Sequence, residues 1–269
     1  MALGIIVCGA AGRMGRTLIN LVAQSPQTKL AGAVEAAGLA NIGRDAGEVA
    51  GLGTLHVPIV DSLEKAIRPD AVTLDFTNAA AAVAHLRTAV QHRAPIVIGS
   101  TGYSQAEQAE LERLAPQTRT VVAPNMSVGI NVLLQLVRQA ASLLGDDFDP
   151  EIVEIHHRMK VDAPSGTALH LGRAVAGALG RDFEKCAVYG RQGLVGQRRA
   201  HEIGMMTLRG GDAVGDHTVI FAGLGERLEL THRSQSRDCL ARGALRAALW
   251  LIDQPPGRYS MADVLGLPR

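Results

Sequence analysis

Four basic side chains stand close together in the second half of the chain: His156, His157, Arg158 and Lys160. Just beyond them, Ser165-Gly166-Thr167 is typical of the start of a helix. Imidazole and ammonium groups can transfer protons, and the first amides of a helix hold anions. The segment therefore predicts a pocket for a small carboxylate substrate with a proton donor beside it.

Each of these residues also has an ordinary structural interpretation. Alone, either histidine could be a hydrogen-bonded core residue, and Lys160 could be a surface lysine. On an extended segment His156 and His157 point to opposite faces, so we expect them to have different roles. No Cys or carboxylate stands at the spacing that would complete a metal site, so none is predicted. We expect Asp162 to be the N-cap of the helix and Pro164 to lie in its first turn.

A second candidate site lies near the N-terminus, where a turn joins a predicted strand (3–8) to a predicted helix (13–24). The turn has the sequence Gly9-Ala10-Ala11-Gly12-Arg13-Met14-Gly15. In such a turn the backbone approaches a pyrophosphate closely, and the helix start donates amides to it. Glu35 closes the next predicted strand, twenty residues after Gly15, where a carboxylate can hold a ribose diol. The turn alone could be a plain connection, but the two features together predict dinucleotide binding.

Glu35 also bears on which dinucleotide is used. Binding a 2′-phosphate normally requires a basic residue beside the end of this strand, whereas Ala36 and Ala37 follow here. The unopposed carboxylate favours NADH as the preferred cofactor. NADPH stays possible, because Arg13 or Arg16 could reach the phosphate.

Two later turns follow predicted parallel strands: Gly99-Ser100-Thr101-Gly102 and Ala123-Pro124-Asn125-Met126. Ligands of open parallel sheets bind at the carboxyl ends of the strands. Both turns could therefore line the nicotinamide half of the cofactor site, although either one alone is simply a turn.

The order of predicted elements indicates two domains. Strands alternate with helices over the first part, with strands at 3–8, 30–34, 71–76, 95–99 and 120–123, and helices at 13–24, 61–68, 79–92 and 104–114. Ser104 and Glu107 predict a capping box at the start of the last of these helices. This alternation predicts a Rossmann-type, doubly wound parallel sheet. After a helix at 129–144 the pattern changes to strands at 152–157, 203–208, 217–221 and 227–232, with one clear helix at 166–179. That pattern predicts a second, α+β domain with a mixed or antiparallel sheet.

The domain boundaries follow from this change of pattern. We expect a dinucleotide-binding domain at 1–127, a substrate-binding and oligomerisation domain at 128–236, and a C-terminal helix within 237–269 that returns to the first domain. The chain would then cross between the domains twice, which favours a hinge around a cleft.

Composition excludes several classes of protein. The net charge is +1, so nothing favours a nucleic acid or membrane surface as partner. No uninterrupted apolar run approaches the ~20 residues of a membrane span, and no signal peptide is evident. Cys8, Cys186 and Cys239 are far apart and odd in number, as expected of reduced thiols in a cytoplasmic protein.

Residues 151–168 have the sequence EIVEIHHRMKVDAPSGTA. This segment is similar to the signature of the 4-hydroxy-tetrahydrodipicolinate reductase (dihydrodipicolinate reductase) family of lysine and diaminopimelate biosynthesis. The resemblance continues in VCGAAGRMGR near the N-terminus, IGSTG at 98–102, PNMSVGINV from Pro124 and GERLELTHRS from Gly225. It therefore covers the whole chain.

The resemblance implies hydride transfer from a nicotinamide to a cyclic dicarboxylate, with a proton from the protein. It implies His156 as proton donor and Lys160 as a second acid near a substrate carboxylate, with His157, Ser165, Gly166 and Thr167 binding the substrate. The cofactor residues that it implies lie in four segments: Gly9 to Met14, Glu35, Gly99 to Thr101 and Ala123 to Met126. It also implies a homotetramer built through the sheet of the second domain.

Departures from the family pattern concern the cofactor more than the acids. Ala36 stands where a dual-specificity member can carry arginine, and Asn78 replaces a basic residue of some members. Met159 stands where another histidine can occur. Two alternatives compete with the reductase: a semialdehyde dehydrogenase, which would need an activated cysteine, and a nucleotide-sensing protein that has lost its chemistry.

Overall fold

The structure is a computed structural model that describes residues 1–268. The chain forms two compact units. The first unit contains Met1–Val128 and the residues from Asp238 onward, and the second contains Gly129–Arg237.

The first unit is built on a parallel sheet. Its strands are β1 (Leu3–Cys8), β2 (Thr28–Val34), β3 (Ile59–Val60), β4 (Ala71–Asp75), β5 (Ile96–Ile98), β6 (Arg119–Val122) and β12 (Gly257–Tyr259). Among the described residues these seven strands lie in the order β12-β6-β5-β4-β1-β2-β3, and every pair is parallel. The Rossmann-type doubly wound sheet is thus confirmed.

Helices pack on this sheet because its central strands are apolar on both faces. The helices are α1 (Arg13–Gln24), α2 (Ala46–Ala50), α3 (Ala79–Gln91), α4 (Gln105–Leu114), α8 (Asp238–Leu251) and α9 (Met261–Leu265). Ile5, Val7 and Leu74 are fully buried and belong to one cluster with Leu18 of α1 and Ala244 of α8. Helix α8, from the C-terminal part of the chain, therefore packs in the same core as this sheet.

Several local predictions for this unit need adjustment. The helix predicted at 61–68 is only a 3₁₀ turn, Leu63–Lys65. The short strand β12 and helix α9 were not predicted, because each is too short to show a periodic apolar pattern. The predicted capping box of α4 is present: the Ser104 hydroxyl accepts from the Glu107 amide, and the Glu107 carboxylate accepts from the Ser104 amide at 2.8 Å.

The second unit is built on a mixed sheet. Its strands are β7 (Asp149–His156), β8 (Ala187–Val188), β9 (Ile203–Arg209), β10 (Gly215–Ala222) and β11 (Arg227–Ser234), in the order β11-β10-β7-β9-β8. Strand β10 runs antiparallel to β7 and β11, whereas β7 and β8 run parallel to β9. The helices of this unit are α5 (Val128–Leu144), α6 (Gly166–Ala178) and α7 (Phe183–Cys186). The predicted α+β architecture is confirmed.

The helical segment Val128–Asp147 is long and apolar enough to span a membrane by length and composition alone. This qualifies the expectation that no such segment exists. Its buried residues Ile130, Leu133 and Val137 pack in one cluster with Ile152 of β7 and Phe221 of β10. This packing is that of a helix covering a sheet.

Candidate active site

The glycine-rich turn between β1 and α1 is closely packed. Gly9 has a φ of +71°, in the left-handed region that favours glycine, and its carbonyl accepts from the Gly12 amide at 3.0 Å. A Cβ on Gly15 would lie 2.1 Å from the Gly9 carbonyl oxygen and 2.8 Å from the Ala10 Cα. Gly15 therefore lets the start of α1 press directly against the turn, as a dinucleotide-binding turn requires.

The amides of this turn have distinct partners. Ala10 donates its N–H to the Val34 carbonyl at 3.0 Å, and Ala11 donates to Oε2 of Glu35 at 3.0 Å. Gly12 is the N-cap of α1, and within residues 1–268 no side chain caps this helix. The first amides of α1 can therefore bind an anion.

Glu35 both braces the turn and remains accessible. Its other oxygen, Oε1, accepts from the Ala36 amide at 3.1 Å, and the residue is half-buried. A carboxylate oxygen has more than one lone pair, so both oxygens can still accept from ribose hydroxyls. Arg16, which sequence analysis considered for a 2′-phosphate, uses its Nε to donate to the Ala11 carbonyl at 3.0 Å.

The other predicted cofactor segments lie at the same edge of the sheet, because the carboxyl ends of parallel strands share one edge. Thr101 and Pro124 are exposed there, whereas Ser100 is buried. Asn125 accepts from the Ser127 amide through its Oδ1 at 2.9 Å. Met126 is 1% exposed and packs in the core, so only its backbone is available to a ligand.

The buried Asp75, which was not predicted as a site residue, links the turns at this edge. It lies at the end of β4 and accepts from the Thr77 hydroxyl at 2.6 Å, the Ser100 hydroxyl at 3.2 Å and Nδ1 of His85 at 2.6 Å. These bonds fix the turns after β4 and β5 relative to each other. Burial, followed by the charge of Asp75, raises the pKa of the neighbouring Cys8 thiol well above its ordinary value.

Cys8 and Cys186 do not fit the dehydrogenase alternative. Burial also raises the pKa of Cys186. Both thiols are therefore protonated at neutral pH, whereas a nucleophilic cysteine needs a lowered pKa. Cys8, Asp75 and His85 form a group whose possible ligand atoms lie within 4.8 Å of one another. Because Asp75 already accepts from His85, Thr77 and Ser100, we interpret the group as a hydrogen-bonded network.

In the second unit, His156 closes strand β7 and is 9% exposed. Its Nδ1 lies 2.5 Å from Oε2 of Glu154, which is 1% exposed. This bond assigns the Nδ1 proton to the pair with Glu154 and leaves Nε2 for chemistry. A Cβ on Gly215 would lie 2.9 Å from Nε2, so glycine at that position gives the ring its space.

Opposing effects set the pKa of His156. Burial lowers it, the carboxylate of Glu154 raises it, and the charges of Lys160 and Arg209 lower it, with a net decrease. For Glu154 itself, burial favours the neutral form, but the hydrogen bonds from Arg209, His156 and the Ser165 amide outweigh burial and lower its pKa. At neutral pH the carboxylate is ionised, and a negatively charged substrate would favour protonation of His156.

His217 of β10 was not predicted as a site residue, yet its ring lies against His156. The two rings are edge to face, with centroids 5.2 Å apart. Nε2 of His217 lies 3.1 Å from the Ser165 hydroxyl, and its buried Nδ1 has no hydrogen-bond partner in the described part of the chain. Burial, and then the charge of His156, lowers the pKa of His217 to about 4. His217 is therefore neutral at neutral pH.

The helix start that sequence analysis selected lies directly beside this pair. Ser165 is the N-cap of α6: its hydroxyl accepts from the Ala168 amide at 3.2 Å, and its own amide donates to Glu154 at 3.0 Å. Ser165 is 2% exposed, whereas Gly166 is exposed and Thr167 is half-buried. A ligand would meet the first amides of α6 before it met the Ser165 side chain.

Two structural assignments made from the sequence are wrong. Asp162 does not cap α6; its carboxylate binds Nζ of Lys160 at 2.8 Å, and its carbonyl accepts from Arg209. Pro164 precedes the Ser165 cap and so lies outside the first helical turn. Ser165 takes the cap because the buried carboxylate of Glu154 holds its amide and fixes the entry of the chain into the helix.

The remaining predicted substrate residues cluster around His156. His157 is half-buried, and its amide donates to the Ala213 carbonyl at 2.7 Å. Lys160 donates its own amide to the His157 carbonyl, and its charge lies close enough to His156 to lower the pKa of that ring. The second unit thus brings together an imidazole, an ammonium and a helix start.

Two family models match the chain, and between them they cover nearly all of it. They are the N-terminal part of dihydrodipicolinate reductase, over residues 3–126, and its C-terminal part, over residues 129–265. The chain is 50% identical over 263 residues to a 4-hydroxy-tetrahydrodipicolinate reductase of Syntrophotalea carbinolica, with 98% of each chain covered. It is 52% identical to the enzyme of the same name from Anaeromyxobacter dehalogenans, with 98% of this chain and 97% of the relative covered.

A solved structure shares the fold. A dipicolinate-bound dihydrodipicolinate reductase from Paenisporosarcina sp. TG-14 superposes with a TM-score of 0.76 at 21% identity, over 98% of this chain and 99% of that one.

The parallel sheet with its glycine-rich turn and the acid site of the second unit define an oxidoreductase that uses a nicotinamide cofactor. More narrowly, the chain belongs to the dihydrodipicolinate reductase family.

Proposed function

We propose that this enzyme reduces 4-hydroxy-tetrahydrodipicolinate to tetrahydrodipicolinate in lysine and diaminopimelate biosynthesis. The reaction consumes one hydride and one proton, and the 4-hydroxyl group of the substrate leaves as water. The observation that supports this proposal best is the buried Glu154–His156 pair, which lies beside the first amides of α6. This pair supplies a proton donor, and the helix start supplies a carboxylate site. The names and identities of the relatives favour the same substrate.

The cofactor site fits a nicotinamide dinucleotide, because the Gly9–Gly15 turn has no room for further side chains and Glu35 stands at the end of β2. When bound, the reduced nicotinamide supplies a hydride to the substrate ring. The amides at the start of α1 bind the pyrophosphate, and Glu35 accepts from the ribose hydroxyls. The exposed Thr101 and Pro124, with Gly99 and Asn125, line the nicotinamide half.

The second unit supplies charge and the proton. The amides of Gly166 and Thr167 bind one substrate carboxylate, and His157 contributes a further contact. Lys160 leaves Asp162 for a substrate carboxylate, because two exchangeable ion pairs of this kind are close in energy. Protonated Nε2 of His156 donates its proton to the ring, and Glu154 stabilises the remaining Nδ1–H.

We also propose NADH as the preferred cofactor. Glu35 is half-buried and its side chain accepts from the Ala11 and Ala36 amides, so a 2′-phosphate would lie against a carboxylate that is held in place. Ala36 offers no basic group in compensation. NADPH would then bind more weakly, with a larger KM.

Initial rates of NADH and NADPH oxidation, with the substrate generated in situ by the preceding synthase, test these assignments. Faster oxidation of NADH is expected. A clear preference for NADPH would keep the reductase and overturn the role given to Glu35. No oxidation of either cofactor by folded protein would overturn the reductase and favour a nucleotide-sensing protein.

A homotetramer in the cytoplasm completes the proposal. Apolar side chains on and near the second sheet are exposed, namely Leu208 (46%), Leu224 (103%) and Leu228 (41%), and burying them against other copies would be favourable. Sedimentation velocity should give the mass of four chains. Leu228→Glu should lower that mass, whereas Leu39→Glu in the first unit should leave it unchanged; an unchanged mass for the Leu228 variant would argue against this surface.

A further inference from the structure

The buried carboxylate of Glu154 joins three parts of the second unit. Its Oε2 is bonded to Nδ1 of His156 and accepts from Nη1 of Arg209 at 2.9 Å. Its Oε1 accepts from the Ser165 amide at 3.0 Å, from Nη2 of Arg209 at 3.0 Å and from the Thr207 hydroxyl at 3.3 Å. One side chain therefore binds the proton donor, the start of α6 and strand β9.

The sheet register explains how these groups meet. Glu154 and His156 are two residues apart on β7, so their side chains leave the same face. Glu154 lies opposite Thr207, and His156 lies opposite Arg209, in the parallel pairing with β9. His156 and its partner Glu154 therefore lie on the same face of β7.

The terminal nitrogens of Arg209 are occupied by hydrogen bonds within the protein. Both of its terminal nitrogens bind Glu154, and Nη2 also donates to the Asp162 carbonyl at 2.6 Å. The fork-like pairing of guanidinium and carboxylate fixes direction as well as distance. Arg209 thus offsets the charge of Glu154, which would otherwise repel a dicarboxylate.

We propose that Glu154, held by Arg209, is a positioning residue that fixes the proton donor His156 and the carboxylate-binding start of α6 relative to each other. This inference rests on the proposed function. According to it, the buried side chain of Glu154 sets the distance between the donated proton and the bound carboxylate. A displacement of about 1 Å between reacting groups can cost ~10²-fold in rate.

A purely structural role would have different consequences. Loss of a structural carboxylate lowers the free energy of unfolding and leaves the chemistry of the folded fraction intact. A positioning carboxylate also selects the tautomer of His156, keeping the proton on Nδ1 in the neutral ring. Kinetics of folded protein and the state of the imidazole therefore separate the two roles.

The test compares Glu154→Gln with Glu151→Gln. Glu151 is on the same strand and is also paired with arginines, Arg191 and Arg198, but it makes no contact with His156. Three quantities are measured for each variant: kcat and KM as functions of pH, the dissociation constant of dipicolinate by calorimetry, and the tautomer and titration of His156 by NMR of ¹⁵N-labelled imidazole.

For Glu154→Gln we expect kcat to fall by ~10²-fold and dipicolinate binding to weaken. The limb of the kcat profile on which activity falls as pH rises should move to lower pH by about one unit, because the ring loses its anionic partner. The groups that then face His156 are Lys160, Arg209 and His217, all of which disfavour its charged form or are neutral. Glu151→Gln should keep wild-type values in all three measurements.

A Glu154→Gln enzyme with wild-type kcat, tautomer and pH profile would overturn the inference while the reductase activity stands. If wild-type enzyme showed no reduction, or His156→Ala kept the full kcat, the proposed function itself would fail instead. Should Glu154→Gln not fold, Arg209→Lys retains the charge but loses the fork, and we expect the same changes at smaller size. Unchanged kcat and pH profile in a folded Arg209→Lys enzyme would then count against the inference.

Discussion

The two candidate sites use different parts of the chain to do their work. At the edge of the first sheet, the groups that face a ligand are mostly backbone amides and glycines, braced from behind by Glu35 and Asp75. In the second unit, the working groups are side chains that hold one another, with Glu154 at the centre. A site built from backbone amides is disrupted when a side chain is added at a glycine. A site built from side chains is disrupted when one of them is removed.

His156→Ala should produce the largest effect. Removing a general acid typically lowers kcat by ~10²–10⁴-fold, and dinucleotide affinity should change little because the proposed cofactor residues lie in the first unit. Steady-state rates and NADH binding by fluorescence measure the two quantities. His201→Ala, which changes an exposed histidine of the same unit, is the control. Equal kcat for wild type and His156→Ala would remove the histidine from its role.

Acid should destabilise the second site through His217. Its pKa is about 4 in the folded chain and ~6.5 in the unfolded chain. Between these values the unfolded chain binds the extra proton, so the free energy of unfolding falls as pH falls, by on the order of 3 kcal/mol in total. Denaturant unfolding of wild type and His217→Gln from pH 7 to pH 4 tests this. If the variant keeps the full wild-type slope, His217 is not its source.

Gly15→Ala tests the site in the first unit, which is built mostly from backbone amides and glycines. The added methyl group meets the Gly9 carbonyl at 2.1 Å, a backbone contact that cannot simply rotate away. We expect a loss of about 1–3 kcal/mol in the free energy of unfolding and weaker NADH binding. Gly177→Ala is the matched control, because its Cβ would meet nothing within 4 Å. Tight NADH binding by Gly15→Ala would contradict a closely packed turn.

Glu35→Ala should affect the cofactor site alone. It removes the proposed acceptor of ribose hydroxyls and the hydrogen-bond acceptor of the Ala11 amide, and a hydrogen bond to a charged group contributes about 1.5–3 kcal/mol. NADH affinity should fall by roughly tenfold or more, while calorimetry should show unchanged dipicolinate binding. Glu48→Ala, at an exposed carboxylate of α2, should alter neither.

The sequence predicted those features that are local in the chain. The glycine-rich turn, the Ser104–Glu107 capping box and the alternation of strands and helices depend on neighbouring residues, so spacing reveals them. The proposed proton donor, His156, and the start of α6 lie within a short segment as well. Family resemblance added their roles, which spacing alone left open.

Partners that come from distant segments were missed. Arg209 and His217 lie more than fifty residues after Glu154 and Ser165 respectively, and only the pairing of β7 with β9 and β10 brings them together. Glu154 did carry a local signal, since it lies two residues before His156 on one face of a strand. The Asp162 cap was predicted wrongly because the sequence does not show that Glu154 holds the Ser165 amide.

Strand β12 is synthesised long after the other strands of the first sheet. It pairs with β6 through Gly257–Arg119 and Tyr259–Val121, and Arg119 also donates to the Ile252 carbonyl at 2.7 Å. During synthesis on the ribosome, this edge of β6 therefore stays unpaired until the entire second unit has been made. Closing contacts across such a separation is slow, and an uncovered strand edge can pair with another nascent chain. Truncation before residue 257 should leave a chain that aggregates during refolding, which light scattering would detect.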